Sequence, residues 1–251
     1  MARSCLFCDR LVNSREHLFS DWILDELKDD AGPLNIKMGK HTNVWTPTPE
    51  VKIRCVCHTC NCGWMSDLEA ANQPHMLPMM RGEKAICLSP SQQKLLTRWA
   101  ILKTVILDGA DRKRSPFFTP EERTSLRPPR MSNLVGTSVW IGRLAIRSFH
   151  AGGTDIAGKI DEVPEAYRGN VTTIIVGHLI IQVLTSHVPV KYASAKLRYT
   201  CKPGGWDVNL LQIWPIFSEV VWPPKFSFPL RGGNSIGLLL TRFSIGVDLN
   251  A

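Results

Sequence analysis

The sequence lacks an apolar segment in its first ten residues, any internal repeat and any long low-complexity tract. The first absence predicts no secretory signal, and the other two exclude collagen-like and linker-like chains. The most apolar stretch, residues 171–188, is rich in β-branched residues and contains two histidines and a glutamine. This composition predicts buried strands and no membrane-spanning helix. We therefore expect a soluble, cytoplasmic protein with no membrane partner.

The composition is that of an ordinary globular protein. Of the 251 residues, 44% are hydrophobic and 21% are charged, which excludes a disordered chain. The formal net charge of +8 is compatible with a polyanionic partner such as nucleic acid, although charge of this size also simply keeps a protein soluble. The densest basic region comprises residues 112–114 with Arg127 and Arg130. It predicts either a phosphate-binding track or a solvated loop.

Cysteine is unevenly distributed, with six of the eight residues inside the first 62 positions. In a reducing compartment such a cluster favours metal ligation over disulfides. Cys5 and Cys8 form one CxxC pair, and Cys57 and Cys60 form a second. Two such knuckles are typical of a closed four-thiolate zinc site that is structural, because no coordination position remains open. Two alternatives stay open, namely a different register that uses Cys55 or Cys62, and a group of core thiols without a metal.

A carboxylate, an imidazole and an amide accompany the two knuckles. Glu16 and His17 lie between them, and Asn61 directly follows the second. Carboxylate and amide oxygens bind hard ions such as Mg²⁺ or Mn²⁺, and a neighbouring free imidazole can take a proton from water. This set suits a one-metal phosphodiesterase. As alternatives, His17 has a structural role, Asn61 caps the following helix, and Glu69 is either an additional ligand or a residue on the helix surface.

The stretches Cys5–Cys8, Glu16-His17 and Cys57–Asn61 resemble, in this order, the zinc-knuckled HNH endonucleases, or ββα-metal nucleases. The resemblance covers about residues 5–69, roughly a quarter of the chain. It implies that Glu16 and Asn61 hold a catalytic divalent ion, that His17 is the general base, and that nucleic acid, DNA in the first place, is the substrate. Members of this family usually carry an asparagine shortly before the second knuckle, and this chain has none there.

The pattern of the elements predicts an α+β fold. A zinc-stabilised ββα unit over residues 1–85 is followed by a second part over residues 86–251, which combines a helical segment with a mainly antiparallel, sheet-rich portion. We expect helices over 19–28, from about 63, over 90–108, over 119–126 and near 162–167. We expect a strand over 51–56 and four to six strands from residue 134 onward. Residues 29–50 are expected to form a loop with one strand at most.

The function expected from these features is metal-dependent endonucleolytic hydrolysis. The main rival is a non-catalytic zinc module that binds nucleic acid or a protein, in which Glu16 and His17 are structural. A third possibility is an effector nuclease whose sheet-rich half senses a ligand. The sequence assigns no role to residues 134–251.

Overall fold

The structure is a computed structural model of the chain. It describes residues 3–28, 34–38, 42–46, 50–110, 115–128, 136–160, 163–187, 196–201, 210–228 and 243–248. The predicted basic residues 112–114 and Arg130 lie outside these ranges.

Five α-helices are described. They are α1 (Asp21–Leu27), α2 (His58–Cys60), α3 (Ser66–Arg81), α4 (Pro90–Ala110) and α5 (Pro120–Ser125), with a π-helical turn over Asn61–Met65 between α2 and α3. Side-chain oxygens cap the starts of α4 and α5. Ser89 and Gln92 exchange hydrogen bonds at the start of α4, and Thr119 and Glu122 form a capping box at the start of α5.

Eleven strands are described. They are β1 (Ser14–His17), β2 (Leu34–Met38), β3 (Thr42–Thr46), β4 (Lys52–Val56), β5 (Ile86–Leu88), β6 (Thr137–Ile160), β7 (Val163–His187), β8 (Lys196–Cys201), β9 (Leu210–Trp214), β10 (Val220–Trp222) and β11 (Phe243–Asp248). The main sheet has the order β3-β2-β6-β7, and β9 also pairs with β6. The pairs β1–β4, β5–β10 and β8–β11 form three small antiparallel sheets.

The mixture of helix and strand confirms the predicted α+β class, and the pairs β6–β7, β6–β9 and β8–β11 after residue 134 are antiparallel, as predicted. Strand β2 pairs with β6 in parallel, and an isolated parallel bridge joins Leu144 to Phe228. Two local predictions are wrong. Residues 163–167 begin β7, because pairing with β6 over Gly158↔Tyr167 and Ile160↔Val163 overrides the weak local helix signal. Residues 34–46 contain two strands, β2 and β3, where one at most was expected.

Helix α4 lies at the centre of the core. Its residues from Trp99 to Asp108 are all buried, and the apolar ones among them join one cluster with Phe7 of the first knuckle and with Val139 and Ile181 of the main sheet. The amino-terminal quarter therefore shares its core with the rest of the chain. The boundary at residues 85 and 86 remains a prediction.

Among the helices within the described ranges, none is both long enough and apolar enough to cross a bilayer.

Candidate functional site

The four predicted zinc ligands lie together. The Sγ atoms of Cys5, Cys8, Cys57 and Cys60 are all within 4.8 Å of one another. The Cys8 and Cys57 sulfurs are 3.6 Å apart, and those of Cys8 and Cys60 are 3.8 Å apart. Tetrahedral zinc at a Zn–S distance of about 2.3 Å places its sulfurs about 3.8 Å from each other. The donor set and its spacing therefore fit a structural zinc ion.

Each knuckle is a tight turn stabilised by an N–H donor to sulfur. The backbone N–H of Phe7 donates to Cys5 Sγ at 3.4 Å, and that of Cys60 donates to Cys57 Sγ at 3.4 Å. The first knuckle is joined to β4 by the Leu6 N–H, which donates to the Cys55 carbonyl at 3.0 Å. Two segments almost fifty residues apart therefore meet at one group of sulfurs.

The protein environment affects the four thiols differently. Burial raises the pKa of the Cys5 and Cys60 thiols. Burial also acts to raise the pKa of Cys57, but hydrogen bonds from the Cys60 backbone N–H and from neighbouring thiols outweigh it and lower the pKa to about 7. Zinc binding near neutral pH must therefore displace protons from the cluster, as is usual for thiolate sites.

The other two cysteines near the second knuckle lie outside the cluster. Cys55 is buried, and burial together with the Glu16 carboxylate raises the pKa of its thiol to about 12. Cys62 is exposed, and its sulfur lies 3.3 Å from His58 Nδ1. The structure thus confirms the register with Cys57 and Cys60 as the grouped pair.

An open cleft of about 430 Å³ lies beside this cluster, and Glu16, His17 and Asn61 all line it. Strand β1 supplies Glu16 and His17, while Asn61 follows α2. The sequence-predicted triad therefore shares one solvent-open site. Arg15 and Glu69 also line the cleft.

His17 is held by two carboxylates. Its Nδ1 atom lies 2.9 Å from Asp21 Oδ1, and its Nε2 atom lies 3.9 Å from Glu50 Oε1. A quarter of the His17 side chain is exposed. A hydrogen bond from Nδ1–H to Asp21 selects the tautomer in which Nε2 carries the lone pair. This is the arrangement of a general base whose ring is oriented by an acid.

The amide of Asn61 is oriented by its nitrogen. Nδ2 donates to Ser14 Oγ at 2.8 Å and to the Arg15 carbonyl at 3.1 Å. Oδ1 makes no hydrogen bond with the described residues and is the atom left to accept from, or to ligate, a bound group. The alternative that the Asn61 side chain caps the following helix is wrong, because α3 begins without a side-chain cap and the Asn61 side chain bonds to β1.

Lys103 of α4 supplies a buried ammonium beneath the cleft. Its Nζ donates to Glu16 Oε1 at 2.9 Å and to the His17 carbonyl at 3.0 Å, and it lies 2.6 Å from Glu69 Oε1. The Ser20 hydroxyl also donates to Glu69. Glu69 is therefore a residue of the cleft floor with only 13% of its side chain exposed, and the prediction that it lies on the helix surface is wrong.

The charges of this group are linked. Burial alone would lower the pKa of Lys103, but Glu69 and Glu16 outweigh that effect and raise it to about 12, so the ammonium stays protonated. Two carboxylates, Glu16 and Glu69, share this one ammonium beneath the cleft. The excess of one acidic side chain is compatible with one bound cation. Lys103 nevertheless already occupies one oxygen of Glu16, the predicted ion ligand.

Arg127, from the predicted basic region, lies close to the first knuckle. Its Nη1 atom donates to the Phe7 carbonyl at 3.5 Å, a long hydrogen bond from a partly buried side chain. This contact connects the chain after α5 to the zinc cluster. Arg127 is thus packed against the protein, unlike a residue of a fully solvated loop.

The chain was compared with family models, with curated proteins and with solved structures, and none of the three comparisons found a match.

Proposed function

We propose that the protein is a metal-dependent endonuclease that hydrolyses phosphodiester bonds of nucleic acid, with DNA as the first candidate. The observation that carries the proposal is the convergence of Glu16, His17 and Asn61 on one open cleft beside the four cysteines. The order of elements adds support, since two antiparallel strands, β1 and β4, precede the helices α2 and α3. That order is the one expected from the resemblance to ββα-metal nucleases.

In the proposed reaction, His17 removes the proton of the attacking water. Its Nε2 atom accepts the proton, and Asp21 stabilises the imidazolium that results. The proton of Nδ1 remains on His17, directed at the Asp21 carboxylate. Asp21 therefore sets both the tautomer and the orientation of the ring and does not itself take up a proton.

Glu16 and Asn61 are the residues that would hold a catalytic Mg²⁺ or Mn²⁺ ion. Such an ion supplies stabilisation of negative charge on the phosphate and on the leaving oxygen when it is bound. Lys103 fixes the position of the Glu16 carboxylate, and the hydrogen bonds of Asn61 Nδ2 leave Oδ1 for ligation. The zinc ion has a structural role, because four thiolates complete its coordination.

The proposal predicts that the His17→Ala variant loses cleavage. General-base catalysis contributes about 10²- to 10⁴-fold, so we expect a rate loss of at least about a hundredfold. The measurement is the conversion of supercoiled plasmid to nicked circles with added Mg²⁺ or Mn²⁺. His75→Ala is the matched control, because His75 is also partly buried and contacts Gln92 away from the cleft. It should cleave at the wild-type rate.

A non-catalytic zinc module is the second candidate function. The observation that favours it is the engagement of Glu16 by buried Lys103, which gives this carboxylate a structural role. Under this alternative the wild-type protein binds its partner without nicking the plasmid. The endonuclease proposal would therefore be contradicted if neither wild type nor any variant nicked the plasmid, or if wild type and His17→Ala nicked it equally.

A further inference from the structure

The zinc unit, defined here as residues 3–18 and 51–64, has a strongly basic surface. It contains five Lys and Arg residues, and every one of them is exposed. Its acidic residues are exposed Asp9 and buried Glu16. The surface of this unit therefore presents five cationic side chains against one carboxylate. The five are Arg3, Arg10, Arg15, Lys52 and Arg54.

Four of these cations make no ion pair with any residue that the structure describes. Lys52 is the exception, because it binds Glu50. The unpaired group consists of Arg3, Arg10, Arg15 and Arg54, which we call the arginine face. By contrast, Arg81 and Arg147 outside this unit both bind the Glu26 carboxylate. Unpaired guanidinium groups on one small unit leave a concentrated positive potential.

The backbone brings these arginines close to one another. Arg15 on β1 and Arg54 on β4 are exposed residues of two paired strands, next to each other across the irregularity between Ser14 and Glu16. The first knuckle extends the group, since its Leu6 N–H bonds to the Cys55 carbonyl beside Arg54. Arg10 and Arg3 flank that knuckle, and their carbonyls accept from the Cys5 and Val12 N–H groups at 2.7 and 2.8 Å.

We propose that the arginine face binds the sugar–phosphate backbone of nucleic acid and leads it into the cleft. Guanidinium groups suit this partner because their planar fork matches two phosphate oxygens. Arg15 connects the two surfaces, since it lies on the arginine face and also lines the cleft. The inference rests on the proposed function, because it identifies the backbone contacts of the same substrate.

The test measures binding and not cleavage. In a His17→Ala background without added divalent ion, the affinity for a fluorescent duplex DNA is measured over a series of salt concentrations. Each phosphate contact contributes about 0.9 to the slope of log affinity against log salt. The double variant Arg15→Gln/Arg54→Gln should therefore lower this slope by about two and weaken binding at least tenfold at low salt. Single-stranded DNA and RNA oligonucleotides of equal length show which nucleic acid is preferred.

The matched control is Lys84→Gln/Lys94→Gln, which removes the same charge from two exposed lysines outside the zinc unit. It should leave the slope nearly unchanged. Equal losses of DNA affinity and of salt slope in the two double variants would overturn the inference. It would also be overturned if polyglutamate displaced the labelled DNA as effectively as unlabelled DNA does. Arginine-dependent binding without any plasmid nicking would refute the endonuclease but retain the arginine face. Plasmid nicking combined with an unchanged salt slope in Arg15→Gln/Arg54→Gln would refute the arginine face but retain the endonuclease.

Discussion

The Cys60→Ser variant is expected to lose bound zinc and, with it, the folded zinc unit. Structural zinc sites of this kind bind with an apparent free energy of about 10–16 kcal/mol near pH 7, and this energy stabilises the fold. Apolar packing of Phe7 against Trp64 and the Leu6–Cys55 backbone hydrogen bond also join the two knuckles, so the stability lost is that of the metal site alone. We expect wild type to contain one zinc per chain by elemental analysis, and Cys60→Ser to contain much less, with a large loss of thermal stability.

Cys62→Ser is the control for this experiment. Cys62 lies two residues from Cys60, but its exposed sulfur is outside the cluster. The variant should retain full zinc content and a melting temperature close to that of wild type. Equal zinc loss in both variants would show that the ligand register is different. A wild-type protein without zinc would contradict the four-thiolate zinc site itself.

Substitution of Lys103 by Met is expected to reduce the free energy of unfolding by about 3–5 kcal/mol. Removal of one partner from a buried ion pair leaves an uncompensated charge, and here two carboxylates, Glu16 and Glu69, lose their shared ammonium. The measurement is a urea denaturation midpoint with an unchanged slope. Lys94→Met on the same helix is the control, because Lys94 is exposed and should change stability by less than about 0.5 kcal/mol.

A double variant tests the cause of this loss. Addition of Glu69→Gln to Lys103→Met removes one of the two uncompensated carboxylates, so part of the lost stability should return. If instead the loss came only from altered packing of α4, the second substitution would add its own cost. A loss of less than 1 kcal/mol in Lys103→Met would refute the view that this lysine neutralises the cleft floor.

The cysteine cluster was predictable because its signal is local. The two CxxC pairs fix the donor type and its spacing within four residues each, which is the pattern of a four-thiolate site, and the structure brings the four sulfurs together. The starts of α4 and α5 were predictable for the same reason, since Ser89 with Gln92 and Thr119 with Glu122 carry out the capping within one helical turn.

The strands were predicted less well. Residues 163–167 were expected to be helical, but their structure depends on pairing with β6 across a hairpin. The second strand within residues 29–50 was missed, although β2 pairs with β3 close by in sequence, and its other partner is β6, more than a hundred residues later. Local propensity cannot specify such pairings, since they depend on tertiary contacts.

Within the cleft, sequence reasoning identified Glu16, His17 and Asn61 but missed Asp21 and Lys103. One signal for Lys103 was present, because it is a single charge within the apolar run of α4, where burial demands a partner. The identity of that partner could not be read, since Glu16 lies 87 positions earlier. Asp21 lies four residues after His17, but a chain that passes from strand to helix has no fixed spacing to reveal the contact.

The most direct test of the central claim is chemical rescue of His17. A His17→Gly variant, which leaves space where the imidazole ring stood, is assayed for plasmid nicking with and without free imidazole. If His17 acts as the general base of an endonuclease, the variant is inactive alone and regains activity as imidazole is added, while His75→Gly shows no such response. An inactive variant that imidazole leaves inactive, with its zinc and fold intact, would contradict the role of His17 as the base.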